Sequence, residues 1–309
     1  MSSHHPDTAA MDDHDRGLAH DLAVISGRIM ERRRVLRLFA GAGVTAMVTG
    51  CGGSGDTASG STSSTTITTG STSTSSGTTT TGTTTTTGTT SGTCIADPAE
   101  TAGPYPGDGT NSSSGSTSNV LTQSGIVRSD IRSSFLGSGT VASGVLLTIT
   151  LTVVNVNSSC APLSGYAVYL WHCDIDGNYS LYSVPAESYL RGVQVTDANG
   201  QVTFTTIFPA CYSGRYPHMH FELFSSLTAA TSGRYALLTS QLAMPRDVCT
   251  TVYATSAYSS SGSRLASVTT ANDNVFGDNS TAQIAAMTPT ITGSVAAGYV
   301  GAATIGVSI

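Results

Sequence analysis

The sequence predicts an all-β fold, a β-sandwich that follows a signal segment and a disordered linker. Three observations carry that expectation. Beyond residue 93 the chain consists of short runs rich in Val, Ile, Thr, Tyr and Phe, bounded by Asp, Asn and Gly turn residues. Helical periodicity is weak throughout that region, except near Asp247 to Tyr253. The region is about 215 residues long, enough to bury one substantial core.

The first ninety or so of the 309 residues have a different character. Arg32-Arg33-Arg34 and Arg37 precede a short apolar run from Leu38 to Val48, which is the layout of an export signal and is too short for a permanent membrane span. The pattern Arg32-Arg33-x-Val35-Leu36-Arg37 resembles a twin-arginine signal, and Val48-Thr-Gly-Cys51 resembles a lipobox that would leave Cys51 lipidated. From Gly52 to about residue 92 the chain is almost entirely Thr, Ser and Gly, with little to bury, and reads as a flexible tether. The expected organisation is therefore a signal over 1–51, a tether over 52–92 and a β-sandwich domain over 93–309, lipid-anchored on the outer side of a bacterial membrane.

Within the domain the strands can be justified in order. Val145 to Val154 alternates apolar residues with threonine in its second half, and Tyr166 to His172 is a second β-rich run. Asp174-Ile-Asp-Gly177 and Asp197-Ala-Asn-Gly200 carry the turn chemistry that ends strands. Asp174 to Asn178 resembles the start of a calcium loop but lacks the later acidic ligand, so it reads as a β-turn. Gln201 to Ile207 is a third strand, His218 to Phe224 a fourth, and Arg234 to Leu242 a fifth.

Composition narrows the function. All 13 basic residues are arginine, and the net charge is −6. With several of those arginines in the signal, the domain has no basic stripe, which argues against nucleic-acid binding. Five cysteines follow Cys51: Cys94, Cys160, Cys173, Cys211 and Cys249. Outside the cytoplasm they are expected to pair, with one left over, and sequence does not give the connectivity.

The richest stretch for chemistry is Phe208 to Glu222, which holds Tyr212, Arg215, His218 and His220. On a strand, His218 and His220 share one face and Met219 takes the other. Two adjacent imidazoles can bind a metal, and a nearby tyrosine could add a hard oxygen ligand. Alone, the pair is equally compatible with two histidines on a half-buried strand.

Four separated motifs add to it. They are Glu100-Thr-Ala-Gly-Pro-Tyr-Pro106, Trp171-His-Cys-Asp-Ile-Asp-Gly-Asn-Tyr179, Phe208 to His220, and Leu238-Thr-Ser-Gln-Leu242. In this order they resemble the intradiol ring-cleavage dioxygenases, the family of protocatechuate and catechol dioxygenases, and in particular its exported single-domain members. The resemblance implies a ferric iron site made of Tyr179, Tyr212, His218 and His220, with Tyr212 and His218 axial and Tyr179 and His220 equatorial. Two phenolates and two imidazoles suit a hard ferric ion. It further implies a catechol-type substrate, opened with both atoms of O2 to a cis,cis-muconate-type diacid. Tyr212 would leave as substrate arrives and accept one of its protons. Arg215 would stabilise the anionic ring and Gln241 would hydrogen-bond beside it. Tyr166, Tyr169 and Tyr182 read as core or rim tyrosines. A Cys173–Cys211 disulfide tying the two tyrosine-bearing loops together would suit such an exported enzyme. The helical dimerisation domain of catechol dioxygenases is missing, its place taken by the tether.

Two other classes compete. One is a lipid-anchored β-sandwich that binds a metal or a carbohydrate without catalysis. The other is a copper or zinc enzyme of superoxide dismutase type, which leaves Tyr179, Tyr212 and Arg215 unexplained and lacks the histidines of a dinuclear site.

Overall fold

A computed structural model describes residues 94–309. The signal, the lipobox cysteine Cys51 and the Thr/Ser/Gly tether lie outside the described residues. The remainder is a sandwich of two sheets with three short helices, as the strand pattern predicts. Strand β1 (Leu146–Asn155) is the spine of the larger sheet. It pairs with β2 (Ala161–Pro162), with β5 (Gln201–Ile207) and, in parallel, with the C-terminal β9 (Gly298–Val307), which in turn pairs with β8 (Thr290–Ser294). The smaller sheet is antiparallel, in the order β4 (Arg191–Val195), β3 (Ala167–Trp171), β6 (His218–Phe224), β7 (Leu238–Ala243). Helix α1 spans Arg246–Tyr253, α2 Ser261–Ser267 and α3 Thr281–Met287.

The period of two decides where the core sits. Leu147, Ile149, Leu151 and Val153 of β1 face Val168, Leu170, Met219 and Phe221 of the smaller sheet, forming the main core between the layers. The other face of the smaller sheet is also covered. Tyr169 and Trp171 project there into a second apolar cluster closed by loop residues such as Val120, Tyr179 and Leu181. This double covering buries every residue of β6, so the histidine strand is fully buried and not half-buried.

Three expectations change. The run Arg234 to Leu242 is not strand throughout: Gly233–Tyr235 forms a 3-10 turn, capped by the Ser232 side chain on the Arg234 N–H, and β7 starts only at Leu238. The helix near Asp247 to Tyr253 is present, but α2 and α3 are additional. The cysteines form one disulfide among the described residues, Cys94–Cys160, and Cys173, Cys211 and Cys249 are free and buried. The Cys173–Cys211 bridge is absent because the two thiols turn to different carbonyls, Cys173 to that of Ala210 and Cys211 to that of Arg215. Cys173 belongs to the loop-side cluster and Cys211 to the inter-sheet core.

Candidate metal centre and its surroundings

The antiparallel register aligns Arg191, Trp171, His220 and Gln241 in one row across the smaller sheet. Cross-strand partners share a face, so all four project to the loop-covered side. His218, two residues earlier on β6, joins them. Trp171 stacks on the His220 ring, 4.9 Å between centroids and 8° from parallel, and Tyr169 stacks behind Trp171. This stack fixes the plane of the His220 imidazole.

Two loops bring the tyrosines. After β3 the chain turns through Asp174, whose Oδ1 accepts from the N–H groups of Asp176 and Asn178. Gly177 takes φ +91° in that turn, and any Cβ there would lie 2.8 Å from the Tyr212 Cβ. Only glycine lets the two loops approach so closely. Tyr179 follows, fully buried. On the second loop, Tyr253 and Tyr258 donate hydrogen bonds to the carbonyls of Pro209 and Phe208, the Cys211 N–H donates to Ser261 Oγ, and Arg264 donates to the Cys211 carbonyl. The helical C-terminal region thus braces the segment that ends in Tyr212, which remains partly exposed.

Four atoms converge. His220 Nε2 lies 3.2 Å from Tyr179 Oη, Tyr179 Oη 3.5 Å from Tyr212 Oη, Tyr212 Oη 3.0 Å from His218 Nε2, and the two Nε2 atoms 3.1 Å apart. Ligands at right angles on bonds of ~2.1 Å would stand ~3 Å apart, so this closed ring has the dimensions of a metal's ligand shell. Tyr212 and His218 are neighbours in the ring, and Tyr212 stands across from His220, so the expectation that Tyr212 and His218 are the two axial donors is not met. His218 Nδ1 lies 2.5 Å from the Tyr216 carbonyl and must carry a proton to donate to it, which leaves the Nε2 lone pair facing the ring centre. His220 Nδ1 has no hydrogen-bond partner among the described residues. Burial drives both imidazoles well below the ordinary histidine range, so both are neutral and able to ligate. Without a cation, burial drives Tyr179 well above the ordinary phenol range and Tyr212 up to about 12. A trivalent ion would resolve this crowding of lone pairs by taking two phenolates and two neutral imidazoles as ligands. The donor set fits ferric iron. Among the described residues no group of three His, Cys, Asp or Glu forms a metal cluster, and here two of the four donors are tyrosines.

The remaining site residues lie alongside. Arg215 is buried and donates through Nη2 to Gln241 Oε1 at 2.6 Å, while Nη1 stands 3.4 Å from His218 Nε2. Gln241 donates in turn to the Thr101 carbonyl at 2.9 Å. Arg215 is no surface ion pair: its Nε donates to Asp273 Oδ2 at 3.0 Å, with both side chains buried. The N-terminal loop closes over the ring. Gly103, at φ +71°, leaves room for a Cβ only 3.1 Å from His220 Cε1, and the Tyr105 ring lies 5.0 Å from that of Tyr179. His172 is not part of the ring; its nitrogens bond Thr206 Oγ1 and the Cys173 carbonyl. Tyr169 and Tyr182 bond loop atoms, at Pro106 and at Gly107 and Asn111, as core and rim residues do. Sequence reasoning missed Asp273 and Arg191. Neither stands in a motif, and only three-dimensional contact reveals them.

A dioxygenase family model matches residues 136–275, the span that holds both tyrosines, both histidines, Arg215 and Gln241. No curated protein sequence matches the chain. Among solved structures, an intradiol ring-cleavage dioxygenase from Tetranychus urticae aligns at 24% identity over 70% of this chain and 95% of its own, with a TM-score of 0.53. A second dioxygenase crystal structure aligns at 25% identity over the same shares, with a TM-score of 0.51. Residues 136–275 thus match the dioxygenase family model, and the described residues have the fold of the intradiol ring-cleavage dioxygenases.

Proposed function

We propose that the chain is a non-haem iron(III) intradiol dioxygenase that opens a catechol-type aromatic diol with O2, giving a cis,cis-muconate-type diacid. Ring cleavage of catechols is the general chemistry of the family. The observation that carries the reading for this chain is the closed ring of Tyr179, Tyr212, His218 and His220, with Arg215 Nη1 beside it. Bound ferric iron would supply the Lewis acidity that gathers both oxygens of a catechol and activates its ring toward O2.

The chain's residues have separable parts in this reading. Tyr179, His218 and His220 are buried, and they would hold the metal throughout. Tyr212 is the most exposed of the four and sits on a Ser-Gly turn, which suits it to swing aside and take up a substrate proton at Oη. Arg215 presents Nη1 to the site and stabilises negative charge on the bound diol, while Gln241 holds Nη2. Gly103 and Tyr105 roof the site and limit the water that enters.

The test is the colour and oxygen uptake of the iron-loaded protein. Two tyrosinates on ferric iron give a charge-transfer band in the visible, so the protein should be wine red and should consume O2 with at least one of a panel of catechols. A colourless iron-loaded protein that consumes none would favour the binding-module alternative. We propose further that the enzyme is exported and held at the outer membrane face by lipid on Cys51, on the strength of the signal pattern and tether.

A further inference from the structure

We infer that Asp273 is a positioning residue, which locks the Arg215 guanidinium in the rotation that turns Nη1 toward the four-donor ring. The inference rests on the dioxygenase reading of that ring and adds a residue to it. Asp273 lies 58 residues beyond Arg215, in the stretch Thr269-Thr-Ala-Asn-Asp-Asn274, which has only the look of a polar loop.

The carboxylate is itself immobilised. Oδ2 accepts from the Tyr216 N–H at 2.7 Å, and Oδ1 accepts from the N–H groups of Val275 at 2.8 Å and Phe276 at 3.1 Å. Three backbone donors from two chain segments leave it no freedom to follow a moving arginine. Against this fixed group Arg215 sets one edge of its fork, Nε on Oδ2 at 3.0 Å and Nη2 on Oδ1 at 3.4 Å. Gln241 Oε1 takes the other hydrogen of Nη2 and is anchored on the Thr101 carbonyl. Of the five guanidinium hydrogens, those on Nε and Nη2 are thereby engaged. Nη1 remains, and its one hydrogen-bond contact among the described residues is His218 Nε2. With that lone pair given to a metal, the Nη1 hydrogens would be left for a diol bound beside the ring. A flexible arginine side chain loses much rotamer freedom in taking this pose, and the Asp273 clamp settles that cost before substrate arrives. Asp273 touches neither the ring nor the substrate position.

Asp273→Asn tests this in the full-length iron-loaded protein. The amide either sets its NH2 against the donors of Arg215 and Tyr216, or flips and abandons those of Val275 and Phe276. We expect kcat and kcat/KM for a catechol to fall together by about tenfold, with iron content and the visible band kept. In an Arg215→Ala background the same substitution should cost less than about twofold more. An equal loss in both backgrounds would mean that Asp273 is merely structural, and unchanged turnover would likewise overturn the inference. Should Asp273→Asn not fold, the wild-type protein still decides. In NMR of the metal-free or gallium(III)-loaded protein the Arg215 Nε–H should exchange slowly with solvent, and exchange as fast as in an exposed arginine would overturn the clamp. Iron-loaded wild type that consumes no O2 with any catechol would instead count against the dioxygenase reading, while the exchange measurement continues to judge the clamp.

Discussion

Arg191→Met should destabilise the domain more than any surface charge could. The Arg191 side chain is 1% exposed and donates five hydrogen bonds: to Ser180 Oγ, to the carbonyls of Ser180, Tyr105 and Pro106, and to the Tyr169 hydroxyl. It thereby staples the loop carrying Gly103 and Tyr105 to the loop carrying Tyr179. Methionine matches the reach but has no donor. Pro106 O keeps the Tyr169 hydroxyl and Ser180 Oγ keeps its bond to Tyr189 O. The carbonyls of Ser180 and Tyr105 lose their charged donor. A buried carbonyl left unpaired at Ser180 costs ~1–3 kcal/mol and the charged hydrogen bond lost at Tyr105 adds to it, so the loss should be about 3 kcal/mol. That is a large share of the ~5–15 kcal/mol that holds a domain together. Urea unfolding should show a lower midpoint with an unchanged slope. The exposed pair Arg132–Asp130 is the control, and Arg132→Met should cost no more than ~0.5 kcal/mol. A loss below ~1 kcal/mol for Arg191→Met would refute the staple.

Other outcomes follow from the same geometry. Tyr179→Phe and His220→Ala should each abolish stable iron binding and visible colour, as metal analysis and absorption would show; full retention in both would sink the ligand assignment. Arg215→Ala should keep the iron and lose turnover on the order of 10²-fold, and an unchanged kcat would make Arg215 purely structural. Burial pushes the Asp97 carboxyl from 3.8 up to about 7, with the Gly306 N–H opposing, and its Oδ1 has no partner among the described residues. The folded state therefore keeps a proton that the unfolded chain loses between pH ~4 and ~7, and stability falls as pH rises through that window. Asp97→Asn should gain on wild type by on the order of 2 kcal/mol between pH 4.5 and 8 in urea unfolding, and a constant difference would contradict this. Cys51→Ala should stop lipid labelling in cells; continued labelling would refute the lipobox assignment.

What the sequence made legible was whatever declares itself locally. Strands β1, β5 and β6 announce themselves by β-rich runs between turn residues, and His218 and His220 share a face simply because a strand alternates. Strand β9 did not, because Gly298, Gly301 and Gly306 break its pattern and it is held by parallel pairing with β1, 152 residues earlier. Strand β4 opens with Arg191 and Gly192, an unpromising start until one sees that a Cβ at Gly192 would lie 2.4 Å from Ile131 Cγ2. The four ring residues were legible as chemical types in order. Their second layer was not. Asp273 and Arg191 act through contacts as far as 58 and 86 residues away, and the thiols of Cys173 and Cys211 are kept apart by packing that no spacing encodes.

The central claim is that this site places both atoms of O2 into one opened ring. The most direct measurement is the mass of the product formed from a turned-over catechol under 18O2. Our account expects a ring-opened diacid four mass units heavier than the product made in 16O2. An unlabelled product, or a quinone that keeps the ring closed, would contradict it.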